Sequence, residues 1–138
     1  MPLTSVYRLR EDEQTIKAIQ EATLHTEQFG LQQTHGLFGS EVWWRNVENG
    51  SLPLQTARGH ISKVYMGSMG DWPEFKMVTT EGEEMTWTRM VSQQEFDELF
   101  HEGAHVEVDY VVQHFKPKSW NGASSTKSIV EMRLAPAA

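Results

Sequence analysis

The clearest pattern in the sequence is an alternation of apolar and polar side chains over residues 104–113, where valines and a tyrosine alternate mainly with charged positions. A period of two places every second side chain on the same face of a strand, so this segment predicts a half-buried β-strand. The same period is visible over residues 74–80 and returns over residues 84–90, after the turn residues Glu81 and Gly82. These two segments predict a β-hairpin.

Two further segments complete the predicted strands. Residues 55–66 have a strand pattern with Gly59 inside it, and a glycine in such a position is typical of a bend or bulge in a small barrel. Residues 127–134 form the last predicted strand, after a polar loop at residues 116–125. The sequence therefore predicts five strands.

Two helical segments precede these strands. Residues 11–28 are rich in helix formers and begin with acids that suit a helix N-terminus, but their apolar stripe is thin. Ser40 can cap a second helix over residues 41–49, which Gly50 would end. A strand through residues 42–44 is an alternative for this second segment, because it contains a valine followed by two tryptophans.

A third helix is predicted between the third and fourth strands. Ser92 and Glu95 have the spacing of a capping box, in which each side chain accepts from or reaches the backbone N–H of the other residue. The following residues place Phe96, Leu99 and Phe100 on one helical face, and Gly103 lies where a glycine would end the helix.

The resulting order is three strands, a short helix and two strands, preceded by helical segments. With Gly59 in the first strand and the phrase FHEGAHVEVDY leading into the fourth, this order resembles the OB-fold, a five-stranded antiparallel Greek-key barrel. The resemblance covers residues 56–134 and implies a mainly β or α+β fold. Residues 1–50 would form an N-terminal helical extension and residues 51–138 the barrel, within one structural domain.

Composition narrows the function classes. The 138 residues are 38 % hydrophobic and 22 % charged, which is typical of one globular domain. The sequence has no cysteine, which excludes disulfides, a thiolate nucleophile and cysteine-ligated metal sites. The net charge of −7 disfavours nonspecific nucleic-acid binding, which needs a cationic face. No apolar run suggests a signal peptide or a membrane span, so we expect a cytoplasmic protein without a membrane partner.

The sequence HEGAH has the H-E-x-x-H spacing of zinc peptidases. On a helix, His101 and His105 would hold zinc, and Glu102 would be the general base. However, Gly103 lies inside the motif, and the alternation that follows it has the period of a strand. We therefore interpret the motif as the junction of a helix end and a strand start, and a zinc hydrolase as the third-ranked hypothesis.

A strand would also place His105, Glu107 and Asp109 on one face, at positions i, i+2 and i+4. These side chains can ligate metals, so any metal site would be built from them and His101. The favoured interpretation is a solvated strand face opposite the valine face, because antiparallel sheets often have one such face. We thus expect no metal, no cofactor and no catalytic residue.

Tryptophans mark the candidate ligand surface. OB barrels bind ligands across their second and third strands and the adjacent loops, and the resemblance implies a site there. One of these loops contains Trp72, the other contains Trp120 beside Lys116 and Lys118, and Trp87 lies on the third predicted strand. Aromatic rings at such positions can stack on bases or sugars.

Together these observations predict a nonenzymatic, cytoplasmic interaction module that binds an unknown protein or small ligand and is a candidate homo-oligomer. The alternative hypothesis is selective binding of single-stranded nucleic acid or an oligosaccharide through the loops of Trp72 and Trp120.

Overall fold

The computed structural model describes residues 2–26, 30–67, 70, 72–115 and 125–137. The strands are β1 (Thr4–Arg8), β2 (Gln55–Gly67), β3 (Trp72–Thr79), β4 (Glu84–Thr88), β5 (His105–His114) and β6 (Ser125–Ala135). The α-helices of the described residues are α1 (Glu13–His25) and α2 (Glu41–Glu48), and short 3-10 helices lie at Leu9–Glu11 and Gln94–Leu99. Within the described residues, no helix is both long and apolar enough to cross a membrane.

The six strands form one open sheet in the order β1-β6-β5-β2-β3-β4. The pairs β1–β6, β2–β3 and β3–β4 are antiparallel. The mainly β class is confirmed, but the sheet has six strands instead of five, and no described pairing joins its edges β1 and β4 into a barrel. The additional strand β1 has only five residues. A segment this short cannot show enough alternation of apolar and polar side chains to distinguish a strand from a loop. The likeness to OB barrels thus holds at the level of an antiparallel sheet.

Local capping residues account for both α-helices. The Asp12 side chain accepts from the backbone N–H of Thr15 at the start of α1, over 3.1 Å. Ser40 accepts from the backbone N–H of Trp43 at the start of α2, over 3.3 Å. Gly50, with φ of +83°, follows the end of α2. The helix predicted from Ser40 is therefore confirmed in preference to the strand alternative.

The predicted capping box at Ser92 is wrong. The segment forms a 3-10 helix over Gln94–Leu99, and its N-cap residue, Gln93, makes no side-chain capping bond. The backbone N–H of Ser92 instead donates to the carbonyl of Val6 in β1, over 2.7 Å. This hydrogen bond to a residue far away in the sequence holds Ser92 outside the helix. The residues around Ser92 do not indicate such a bond, so the local pattern could not predict it.

One of two compact units comprises residues 1–8, 56–109 and 131–138. Its core consists of apolar side chains from the sheet and from the end of the 3-10 helix: Val6, Ile61, Phe75, Met77, Phe100, Val106, Val108, Met132 and Leu134. Gly59 lies where a Cβ atom would collide with the carbonyl oxygen of Val78 on β3. The β2–β3 register shifts between Ile61 and Lys63, so the irregularity predicted for this strand lies two residues beyond the glycine.

The other unit comprises residues 9–55 and 110–130. Its centre is Trp43 of α2, which is fully buried and whose ring lies 4.8 Å from that of Phe38. The indole N–H of Trp43 donates to the side-chain oxygen of Gln113 on β5, over 3.2 Å. This bond satisfies two buried polar groups at once. The sequence-based division of the chain at residue 50 stays a prediction.

Candidate interaction surface

A network of charged side chains crosses one face of the sheet in the first unit, and Arg133 of β6 is at its centre. Its Nη1 and Nη2 atoms donate to the two carboxylate oxygens of Asp109 on β5, each over 2.9 Å. Its Nε and Nη2 atoms donate to Oε1 of Glu107, over 3.2 and 3.1 Å. All three guanidinium nitrogens are thus engaged by two carboxylates on the neighbouring strand.

Side chains on the flanking strands extend this network. From β2, Arg58 Nε donates to Oε2 of Glu107 over 3.2 Å, and the Thr56 hydroxyl donates to Oδ1 of Asp109 over 2.7 Å. On the other side, Glu131 of β6 lies 3.1 Å from Arg133 Nη1 and 3.7 Å from Arg8 Nε of β1. The Arg133 network is defined by these seven residues: Arg8, Thr56, Arg58, Glu107, Asp109, Glu131 and Arg133.

The network shifts the pKa values of its two best-connected members. Burial acts to raise the pKa of Asp109, but hydrogen bonds from Arg133 and Thr56 and the charges of Arg133 and Arg58 outweigh it, so the pKa lies below its ordinary value. The hydrogen bond to Asp109 raises the pKa of Arg133 above its ordinary value, against desolvation. Both residues therefore stay ionised at neutral pH, and the network offers a fixed pattern of charge rather than a titrating acid or base.

A groove of about 290 Å³ lies beside the network. Its lining residues come from β2, β5, the turn after β3 and the start of the chain: Leu3, Arg58, Gly59, His60, Thr80, His105, Val106 and Glu107. His60 and His105 are exposed along it. The groove offers hydrogen-bond donors and acceptors from its histidine, arginine, threonine and glutamate side chains.

Of the side chains that the sequence offered as conditional metal ligands, His105 and Glu107 line this groove, and the set does not form a metal site in the described residues. His101 and Glu102 lie between the 3-10 helix and β5, and His105 is the first residue of β5, so the H-E-x-x-H motif spans a junction and not a helix. Glu107 and Asp109 are on β5 and belong to the Arg133 network. In the described ranges, no three His, Asp or Glu side chains are grouped in a way that could hold a metal ion.

The sequence-predicted ligand residues are only partly described. Trp72 is 53 % exposed at the start of β3, and its indole N–H donates to the hydroxyl of Thr88 over 3.0 Å. Trp87, which is 5 % exposed, is buried in the core and presents little of its ring to a ligand. Lys116, Lys118 and Trp120 lie outside the described residues. A stacking surface shared by Trp72 and Trp120 therefore stays a prediction.

Arg89 is a charged residue with a structural role that no motif in the sequence indicates. Its Nη1 atom donates to the backbone carbonyls of Tyr65 and Glu74, over 2.9 and 2.8 Å, and its Nε atom donates to Asp97 over 3.2 Å. Its side chain is only 9 % exposed. Arg89 links β2 and β3 to the 3-10 helix Gln94–Leu99. Most of its hydrogen bonds go to backbone carbonyls, so the spacing of side chains in the sequence does not indicate these bonds.

Acidic charge is concentrated in the first unit. That unit has six Lys and Arg against twelve Asp and Glu, whereas the second unit has six against seven. The Arg133 network contributes three of each sign and is neutral. The excess lies chiefly in residues 81–102, which contain seven acids and, as their only Lys or Arg, the buried Arg89. The first unit therefore presents a negative field to solvent.

A comparison with models of protein families gives a match over most of the chain. The model of a family described as "Immunity protein RhsI2" matches residues 3–135. This range includes all six strands and residues of both compact units. No curated protein matches the chain.

Proposed function

The chain belongs to the RhsI2 immunity protein family, and from that premise we propose that it neutralises a Rhs toxin by binding it. The observation that carries the proposal is the extent of the family match, which runs over residues 3–135. The match includes both compact units, so the likeness concerns the whole described chain and not one shared element.

Inhibition by binding requires a defined contact surface, and it does not require a chemical reaction on the partner. The Arg133 network supports this role, because its side chains are held in fixed positions by hydrogen bonds and lose little freedom when a partner covers them. The function is therefore stoichiometric inhibition, and the protein partner that the sequence left unnamed is the toxin.

The charge distribution supports a partner with a basic contact surface. A protein whose charge excess is concentrated in one unit attracts an oppositely charged partner from beyond contact distance, which raises the association rate. Fast association benefits an inhibitor because it must reach the toxin before the toxin reaches its target. The proposal keeps the cytoplasmic location expected from the sequence.

A growth assay tests the proposal. Bacteria that express the cognate Rhs toxin domain from an inducible promoter should stop growing, and co-expression of this chain should restore growth. The matched control is a Rhs toxin domain of unrelated sequence, against which the chain should give no protection because the contact is specific. Growth arrest by the cognate toxin despite confirmed expression of the folded chain would contradict the proposed function.

A further inference from the structure

Among the described residues, the strand β4 is at one edge of the sheet and β3 is its one neighbour. Backbone hydrogen bonds identify which of its residues face β3. The N–H of Arg89 donates to the carbonyl of Pro73, and the N–H of Thr79 donates to the carbonyl of Glu83, over 3.0 and 2.8 Å. With Phe75 opposite Trp87, this register makes residues 83, 85, 87 and 89 the positions bonded to β3.

The intervening residues direct their backbone groups away from the sheet. In an antiparallel pair, every second residue of an edge strand directs its N–H and C=O groups away from the partner strand. In β4 these residues are Glu84, Thr86 and Thr88. Within the described ranges, no other segment forms backbone hydrogen bonds with this outer side. It also has no lysine or proline, two residues that commonly protect an edge strand from further pairing.

The two ends of this edge differ in chemistry. Glu81 and Glu83 are exposed at the end where β4 begins, and Glu84 is exposed within the strand with Lys76 as a neighbour at 3.8 Å. At the other end, Trp72 donates to Thr88 and its ring is about half exposed. The edge therefore combines a row of free backbone groups with acids at one end and an aromatic side chain at the other.

We infer that β4 is the docking edge for an extended, basic segment of the toxin, which adds as a seventh strand to the sheet. This inference rests on the proposed function and adds a second contact surface to the Arg133 network. The backbone of the segment would bond to Glu84, Thr86 and Thr88, as in other complexes formed by strand addition. Its Lys or Arg side chains would meet Glu81 and Glu83, and an apolar side chain would contact Trp72.

Charge complementarity favours a basic toxin segment, and not a second copy of this chain, as the strand that pairs with β4. Two copies that paired along this edge would bring together two first units that each carry six Lys and Arg against twelve Asp and Glu, and net charges of the same sign repel one another. A partner segment with cationic side chains gains attraction from the acids at residues 81, 83 and 84. The neighbouring cation, Arg89, is buried and bonded to backbone carbonyls, so it does not neutralise this surface to any large extent.

The first test uses Thr86→Pro, with Thr86→Ala as the matched control. Proline removes the outward N–H and obstructs strand addition, but it removes no hydrogen bond to β3 because the N–H of Thr86 points outward. In calorimetric titrations with the toxin domain, Thr86→Pro should weaken binding at least tenfold, and Thr86→Ala should bind within about twofold of the wild type. Equal affinity of the folded proline variant and the wild type would overturn the inference while leaving the proposed function intact.

The second test needs no change to β4. Backbone amide exchange of the wild-type chain should slow at least tenfold at Glu84, Thr86 and Thr88 when the toxin domain is bound, because these N–H groups become hydrogen bonded. Unchanged exchange at these three amides in a saturated complex would overturn the inference, even if the proline variant does not fold. Failure of the wild type to bind the toxin domain at all would instead refute the proposed function.

The third test addresses charge and self-association. Glu83→Lys should weaken toxin binding several-fold, whereas Glu21→Lys, an exposed reversal on α1, should leave it unchanged. Equal effects of the two reversals would contradict docking at β4. A dimer of the chain alone that Thr86→Pro dissociates would also overturn the inference, because the edge would then belong to a second copy.

Discussion

Arg133 binds Asp109 through both terminal guanidinium nitrogens, with Nη1 donating to Oδ2 and Nη2 to Oδ1 over 2.9 Å each. This two-pronged geometry is the strongest form of a side-chain ion pair, because two parallel bonds fix the planes of both groups. The side chains are only 21 % and 14 % exposed, so solvent weakens the pair little. The contact joins the neighbouring strands β6 and β5 on their charged face.

Removal of this arginine should destabilise the fold. Arg133→Met leaves the partly buried Asp109 without its guanidinium partner and Glu107 with Arg58 alone, and we expect a loss of about 1–3 kcal/mol in the free energy of unfolding. The control is Glu48→Gln, which breaks an exposed ion pair with Arg10 but leaves the Arg10 guanidinium over the ring of Trp44, and it should cost less than about 1 kcal/mol. Urea denaturation measures both, and an equal loss in the two variants would contradict the structural role of the Arg133 network.

The stability that Asp109 contributes should depend on pH. Because its pKa is lower in the folded chain than in the unfolded chain, its contribution is complete above the unfolded value of about 3.9 and is lost as pH falls through the folded value. The difference in unfolding free energy between the wild type and Asp109→Asn should therefore be largest near neutral pH and should shrink in acid. Denaturation curves at several pH values check this, and a difference that grows toward low pH would show that the sign is wrong.

Gly59 should tolerate no side chain. Gly59→Ala would drive its Cβ against the backbone carbonyl of Val78, which cannot move without disturbing the β2–β3 pair, and we expect a loss of about 3 kcal/mol. The control is Gly82→Ala in the turn before β4, where a Cβ meets nothing within 4 Å and only the positive φ of +87° opposes it. That backbone strain costs about 1–2 kcal/mol. Thermal unfolding compares the two, and a milder effect at Gly59 would contradict the described close approach.

The sequence predicted the elements that depend on local signals. The strand signal of β5 and the serine cap of α2 are properties of neighbouring residues, and both predictions are confirmed. The predicted alternation holds only as far as Tyr110: Val111 and Gln113 are buried and Val112 is exposed, so the prediction for the end of this strand is wrong. β1 and the position of Ser92 depend on partners far away in the sequence, so local patterns could not indicate them.

The candidate surface was less predictable for the same reason. The acids at Glu107 and Asp109 were recognised as one strand face, but their partner Arg133 becomes a neighbour only through the β5–β6 pairing. The free edge of β4 likewise follows from the strand order, which no spacing of residues specifies. The sequence indicated an interaction module and an acidic protein, and the strand order was needed to locate a surface.

Association with the toxin should be sensitive to salt. Because the charge excess is concentrated in one unit, the attraction acts over distance and is screened when the Debye length falls from about 10 Å at 0.1 M to about 3 Å at 1 M salt. Stopped-flow mixing should show an association rate constant that drops at least tenfold over this range, with a smaller change in the dissociation rate. A rate constant independent of salt would remove electrostatic attraction from the mechanism.

Neutralisation of a Rhs toxin by this chain depends on direct binding of the two proteins. Calorimetric titration of the purified cognate toxin domain with the purified chain tests it most directly. We expect a saturable one-to-one complex with a Kd of about 100 nM or tighter, the range of many antibody–antigen complexes. The absence of binding heat at two temperatures, together with separate elution of the two folded proteins on size exclusion, would contradict it.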